Sequence, residues 1–156
     1  MVKLNSFIGT MKLLSEKDNR RQKVELWLLN SEPNRSDWQY TKLKEHMNLF
    51  RDTPLLVAYV GSKIGDGHNM DEIKNADGTV TVSFMKSTAE RIVGYFPKDT
   101  ELRIEEKDGV EWIVGIGYIW TWYAQELVDK LKDKAYEGMS ISIETLVYDE
   151  HEENGI

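Results

Sequence analysis

TELRIEEKDGVEWIVGIGYIW, Thr100–Trp120, carries the clearest strand-turn-strand pattern in the chain. Leu102 and Ile104 alternate with charged residues before Asp108-Gly109, and β-branched and aromatic residues dominate after it. An Asp-Gly pair supplies the positive backbone angles of a tight hairpin turn, so the stretch predicts two antiparallel strands. Gly115 and Gly117 interrupt the second strand on one face, a pattern of strong curvature or close approach, as at a barrel corner.

Similar segments lie on either side. QKVELWLLN, Gln22–Asn30, sets Val24, Leu26 and Leu28 on one face and Trp27 and Leu29 on the other, which predicts a strand covered on both sides. LLVAYV reads as a buried strand, TVTVSF as a strand after the Asp77-Gly78 turn, and TAERIVGYF as a short helix or an edge strand. Between LLVAYV and TVTVSF, GSKIGDGHNMDEIKNADG has four glycines and no period, and reads as a loop.

Two segments have helical spacing. Trp38–Phe50, with Ser36 or Asp37 as cap, repeats Leu43, Met47 and Phe50 and is stopped by Asp52, Thr53 and Pro54. Thr121–Lys134 places Tyr123, Leu127, Val128 and Leu131 in one apolar stripe. Strands without regular strand-helix-strand alternation predict an α+β fold: a largely antiparallel, barrel-like β-sheet of about six or seven strands with two or three flanking helices.

The 156 residues, 40% of them hydrophobic, suffice for one core and predict a single domain over residues 1–148. Residues 149–156 form an acidic tail too poor in apolar side chains to fold alone. A formal charge of −7 repels nucleic acid and anionic membranes. With no cysteine, disulfides, thiolate catalysis and cysteine-held zinc are excluded, in keeping with a reducing compartment. The apolar run Trp112–Trp122 is far short of the ~20 residues of a membrane-spanning helix. The first residues, MVKLNSFIGTMKLL, lack the apolar core and cleavage site of a signal peptide.

Candidate chemistry rests on GMSISIETL, Gly138–Leu146, and on the histidines. Strand alternation puts Ser140, Ser142 and Glu144 on one face, either a solvated face or the seat of a nucleophile. Of the three histidines, His46 lies in the first predicted helix and His151 in the tail, where solvation is the default reading. His68 occupies the glycine-rich loop near Asp66, Asn69 and Asp71. It either satisfies a turn, contributes with Asp66 and Asp71 to a metal site that lacks chelating spacing, or acts as general base for a distant serine.

The order GDGHNM after a buried strand, ERIVGYF, a hairpin ending GIGYIW, an amphipathic helix and EGMSISIE resembles that of tailed-phage prohead maturation proteases. Those enzymes are related in fold to the herpesvirus assemblins. The resemblance runs over roughly Gln22–Val147 and rests on a histidine in the first half and a serine in a late strand of small polar residues. It implies a serine endopeptidase in which His68 takes the proton of Ser140, whose oxygen attacks a peptide carbonyl to form an acyl-enzyme. Ser142 falls where relatives often carry a small residue such as glycine.

The third catalytic group stays open among Ser142, Glu144, His151 and none. Glu144 is roughly 13 Å from Ser140 along a strand and Ser142 roughly 6.6 Å. The resemblance further implies scaffold and major capsid protein as substrates, location inside the assembling prohead in the host cytoplasm, homodimerisation, and no cofactor or metal. The alternative expectation is a non-catalytic phage structural or regulatory domain that binds protein, with Trp38, Trp112, Trp120 and Trp122 available for an aromatic interface, although tryptophans more often fill a core. A barrel with an aromatic cleft for carbohydrate or another small ligand has less support.

Overall fold

The computed structural model describes residues 4–18, 20–34, 39–60, 63–64, 70–84, 89–133 and 139–146. Its strands are β1 (Leu4–Lys17), β2 (Arg21–Asn30), β3 (Thr53–Val60), β4 (Lys63–Ile64), β5 (Met70–Lys74), β6 (Val80–Phe84), β7 (Ala89–Phe96), β8 (Leu102–Lys107), β9 (Val110–Trp120) and β10 (Met139–Leu146). The helices are α1 (Leu43–His46), which runs into a 3₁₀ turn at Met47–Phe50, and α2 (Gln125–Lys132).

The expected hairpin forms. β8 and β9 pair antiparallel from Lys107↔Val110 to Leu102↔Gly115. Asp108 and Gly109 have φ of 55° and 80°, the left-handed pair that a two-residue hairpin turn requires.

β9 is longer than its hairpin partner, and this organises the sheet. The rest of the same edge is taken by β7, through Gly94↔Ile119 and Tyr95↔Tyr118. Between the two partners the chain turns at Pro97–Thr100, where the buried Thr100 donates from Oγ1 to the Ile116 carbonyl and the Ile116 N–H donates to the Glu101 carbonyl. The other edge of β9 is lined by β2, from Arg21↔Trp120 to Asn30↔Trp112, with a bulge between Trp27 and Leu29.

Among the described residues, eight strands make one sheet in the order β10-β1-β2-β9-β7-β3-β4, with β8 branching from β9. β5 and β6 form a separate two-stranded hairpin whose turn contains Gly78 at φ 83°. The fold is thus α+β with an antiparallel sheet, but the barrel expectation is corrected. The path ends at β10 and at β4, and no described pairing joins those strands. Closure requires a continuous ladder; here the hydrogen-bonded path stays open.

Other expectations also shift. The glycine-rich loop after LLVAYV includes β4 and β5, and TAERIVGYF is strand β7 rather than helix. The N-terminal stretch, in which Gly9 interrupts the alternation, is the long strand β1. The helix expected at Trp38–Phe50 begins only at Leu43, because Lys42 has a left-handed φ of 56° that cannot continue an α-helix. Trp38 and its candidate caps lie outside the described residues.

The core lies on the face of β2 and β9 that carries Val24, Leu26, Leu28, Ile113 and Ile119, all buried, together with Leu127, Val128 and Leu131 of α2. Each such side chain stabilises by about 1.5–3 kcal/mol on burial. Acidic Glu126 in the first turn of α2 and Lys130 and Lys132 in its last suit the helix dipole. Gly115 belongs to this face. A Cβ there would stand 2.8 Å from Leu102 Cδ2 and 3.1 Å from Phe96 Cε1. Close approach of side chains over the strand therefore accounts for this glycine.

Candidate functional site

The opposite face of β9 presents Tyr118 and Trp120. Tyr118 lies beside Tyr95 in the ladder, and Tyr95 beside Pro54 of β3. Two residues on from Pro54, Leu56 shares that face by strand alternation and stands opposite Ile92. The rings form a connected track: Tyr95 and Tyr118 have centroids 6.0 Å apart, Tyr95 stacks on Trp120 at 5.2 Å, and Trp120 meets Tyr123 edge-on at 6.2 Å.

Two turns complete the track. After β9, the N–H groups of Tyr123 and Ala124 both donate to the Trp120 carbonyl, each at 3.1 Å, and this tight turn leaves Trp122 and Tyr123 outside the core. Tyr123, expected in the apolar stripe of the following helix, is 71% exposed because α2 starts only at Gln125; Ala124 is the buried residue instead. Before β2, Asp18 Oδ1 accepts from the N–H of Arg20 at 2.8 Å and of Arg21 at 2.7 Å, an Asx-type turn. Those backbone donors, Arg20 first, hold the Asp18 carboxyl below its ordinary range.

The turn aims Arg21 at the aromatic track. Its Nη1 donates to Tyr95 Oη at 2.9 Å, its guanidinium lies 4.2 Å over the Tyr118 ring, and its Nε donates to Asp18 Oδ2 at 3.3 Å. The Tyr95 hydrogen bond raises the Arg21 pKa further, so the cation stays charged. Beyond Tyr118 a depression of about 170 Å³ is lined by Lys23, Pro97, Asp99, Thr100, Glu101, Ile116 and Tyr118. That is well below the ~300–1,000 Å³ of pockets that enclose drug-sized ligands.

The far end of this face is structural. Trp27 and Trp112 pack edge to face at 5.8 Å, and Lys107 Nζ lies 5.4 Å from the Trp27 ring centroid. Glu25 accepts from Trp27 Nε1 at 3.0 Å and pairs with Lys12 and Arg103, each at 3.2 Å. Burial pushes the Glu25 carboxyl up, but the hydrogen bonds from Trp27, Lys12 and Arg103 outweigh it and leave it below its ordinary value.

Of the residues singled out in the sequence, Trp120 belongs to the aromatic track, Trp122 is exposed in the turn that follows it, and Trp112 packs on Trp27. His46 is half-buried beside Tyr40, ring centroids 6.1 Å apart. Ser140, Ser142 and Glu144 stand in β10 opposite Thr10, Ile8 and Ser6 of β1. His68 and His151 lie outside the described residues, as do Asp66 and Asn69. Among the described residues no group of three or more His, Cys, Asp or Glu side chains is arranged to hold a metal ion.

Sequence reading missed Arg21 and Tyr95. Aromatics two apart in Tyr118 and Trp120 were the available signal for a ringed strand face; nothing local points from there to Tyr95.

No described helix is long and apolar enough to cross a membrane. Comparison with curated proteins and with solved structures returned no match. The model of the YonD N-terminal domain family matches residues 20–156, from the turn before β2 onward, and on that match the chain belongs to the YonD N-terminal domain family.

Proposed function

We propose that this domain binds another protein through the face formed by β3, β7 and the end of β9. One observation carries the reading: Tyr123, which meets Trp120, is 71% exposed, Ile92 and Leu56 on the same sheet face are 56% and 48% exposed, and Trp122 in the adjoining turn is 79% exposed. Large apolar side chains gathered on one exposed face mark interaction sites, and aromatic residues dominate the energetics of such interfaces. The face is built on paired strands, so little ordering entropy is lost when a partner covers it.

The test places a photo-crosslinking amino acid at Trp122 and, as control, at Asp108 in the distant hairpin turn, in cells that express the neighbouring genes. Protein adducts concentrated at position 122 are expected. Adducts equally abundant at position 108, or confined to it, would overturn the reading.

A second reading is a serine endopeptidase of the prohead type, acting on scaffold and major capsid protein inside an assembling phage head, with His68 as base and Ser140 as nucleophile. In its favour, Ser140 belongs to a regular strand whose eight residues pair with β1 from Leu4↔Leu146 to Met11↔Met139, the kind of rigid seat a nucleophile needs. It also requires His68, in the segment after β4, to meet β10, and those two strands stand at opposite ends of the sheet path. Cleavage of co-expressed scaffold by the wild type and by Ser140→Ala, read by mass spectrometry, tests it. Equal processing would end it.

A further inference from the structure

We propose that the partner adds a strand to the outer edge of β3: an extended protein segment, antiparallel to Thr53–Ala58, with apolar side chains at alternate positions beside Leu56. This rests on the protein-binding reading and supplies its mode.

The sequence of β3 and its place in the sheet disagree. TPLLVAYV, the whole strand, has no charged residue, the composition of a strand covered on both edges. In the sheet it is next to last, and its outer neighbour β4 pairs only with Tyr59 and Val60. Along Thr53–Ala58 no described strand lies on that side. Edges that stay in water are blunted by charge, by shortness or by proline. β8, an edge of the same sheet, carries Arg103, Glu105, Glu106 and Lys107 among its six residues, and β4 is two residues long. β3 has only Pro54, near its start.

That proline also tells which backbone groups are available. Alternate residues of a strand turn their N–H and C=O to opposite edges. Pro54 pairs with Tyr95 and has no N–H to offer β7, so its parity belongs to the outer edge, and the Leu56 N–H and C=O and the Ala58 N–H point there with it. Leu56, 48% exposed, and Ile92 opposite it, 56% exposed, form the apolar surface beside this edge, while Leu55 and Val57 pack against the core. A segment paired here gains main-chain hydrogen bonds for affinity and cross-strand contact with Leu56 for selectivity.

The experiment selects a displayed library of random twelve-residue peptides on the whole chain, then N-methylates the best binder one peptide nitrogen at a time. Affinity should be lost at every second residue, because only those N–H groups face β3. Leu56→Pro, which removes the outward donor, should bind about tenfold more weakly than Leu56→Ala, which keeps it. Proline at this outward position should leave the fold intact, which circular dichroism checks. The Leu56 N–H should exchange quickly with deuterium in the free chain and slowly with peptide bound. A Leu56 N–H protected in the free chain, a methylation scan without alternation, or a library that yields no binder would overturn this inference. Binders without alternation that still lose affinity on Leu56→Ala with Ile92→Ala would leave the protein-binding reading standing. Affinity unchanged by that double variant and by Trp122→Ala would overturn both.

Discussion

Tyr95 stacks on Trp120, centroids 5.2 Å apart and ring planes 21° from parallel, although its direct partner across the ladder is Tyr118. The contact is diagonal, and aromatic side chains are long enough to make it. Tyr95 also accepts the Arg21 hydrogen bond, so one side chain joins β2, β7 and β9. Tyr95→Ala should lower the unfolding free energy by about 2 kcal/mol, and Tyr95→Phe, which keeps the ring and loses the acceptor, by about 1 kcal/mol or less. Urea unfolding followed by tryptophan fluorescence measures both. Equal losses would show that stacking contributes nothing.

Gly94 and Gly115 should differ in how they tolerate alanine. At Gly115 the new methyl meets the Leu102 and Phe96 side chains, which can shift, at a cost of about 1–3 kcal/mol. At Gly94 it would run into the backbone carbonyl of Tyr118, and the β7–β9 pairing must break to admit it. Thermal melts should rank Gly94→Ala as clearly the less stable protein. The reverse order would mean that β7 does not dock on β9 in this register.

Glu25 has a folded-state pKa below its ordinary 4.5, so its contribution to stability is fully present above that value and is lost as the pH falls through the folded value. The stability difference between wild type and Glu25→Gln should be constant from neutral pH down to about 5 and then shrink. Chemical unfolding at stepped pH reads it. A difference that grows with acid would contradict the Lys12–Glu25–Arg103 arrangement.

Trp122→Ala separates binding from folding. The side chain is 79% exposed, so stability should move by no more than about 0.5 kcal/mol. Partner capture should fall sharply. Loss of stability without loss of capture would place Trp122 in the fold instead.

If Ser140 is a nucleophile, Ser140→Ala should reduce scaffold cleavage about a thousandfold or more while leaving the melting temperature close to wild type, and Ser142→Ala should be milder. Intact-mass analysis of the co-expressed proteins gives the first quantity and calorimetry the second.

What the chain reveals locally, it reveals well. The hairpin around Asp108-Gly109, the alternation along β2, the span of β10 and the Leu127, Val128 and Leu131 stripe can all be read directly, because turn angles and side-chain period depend on residues a few positions apart; the second face of β2, expected to be covered, is only half-buried. Trp120 and Trp122 were legible as interface candidates, and Ser140 as part of a strand. Neighbours in space were not legible. Alternation is the same whichever strand lies alongside, so nothing local says that β7 and β8 share one edge of β9, or that the path stays open between β10 and β4. Tyr95 meets Trp120, and Glu25 meets Arg103, only because distant strands take a common register. Tyr123 leaves its apolar stripe because the turn after β9 delays the helix. Local residue pattern settled β2, β6, the β8–β9 hairpin, β10 and α2, while packing between elements decided which side chains form a surface.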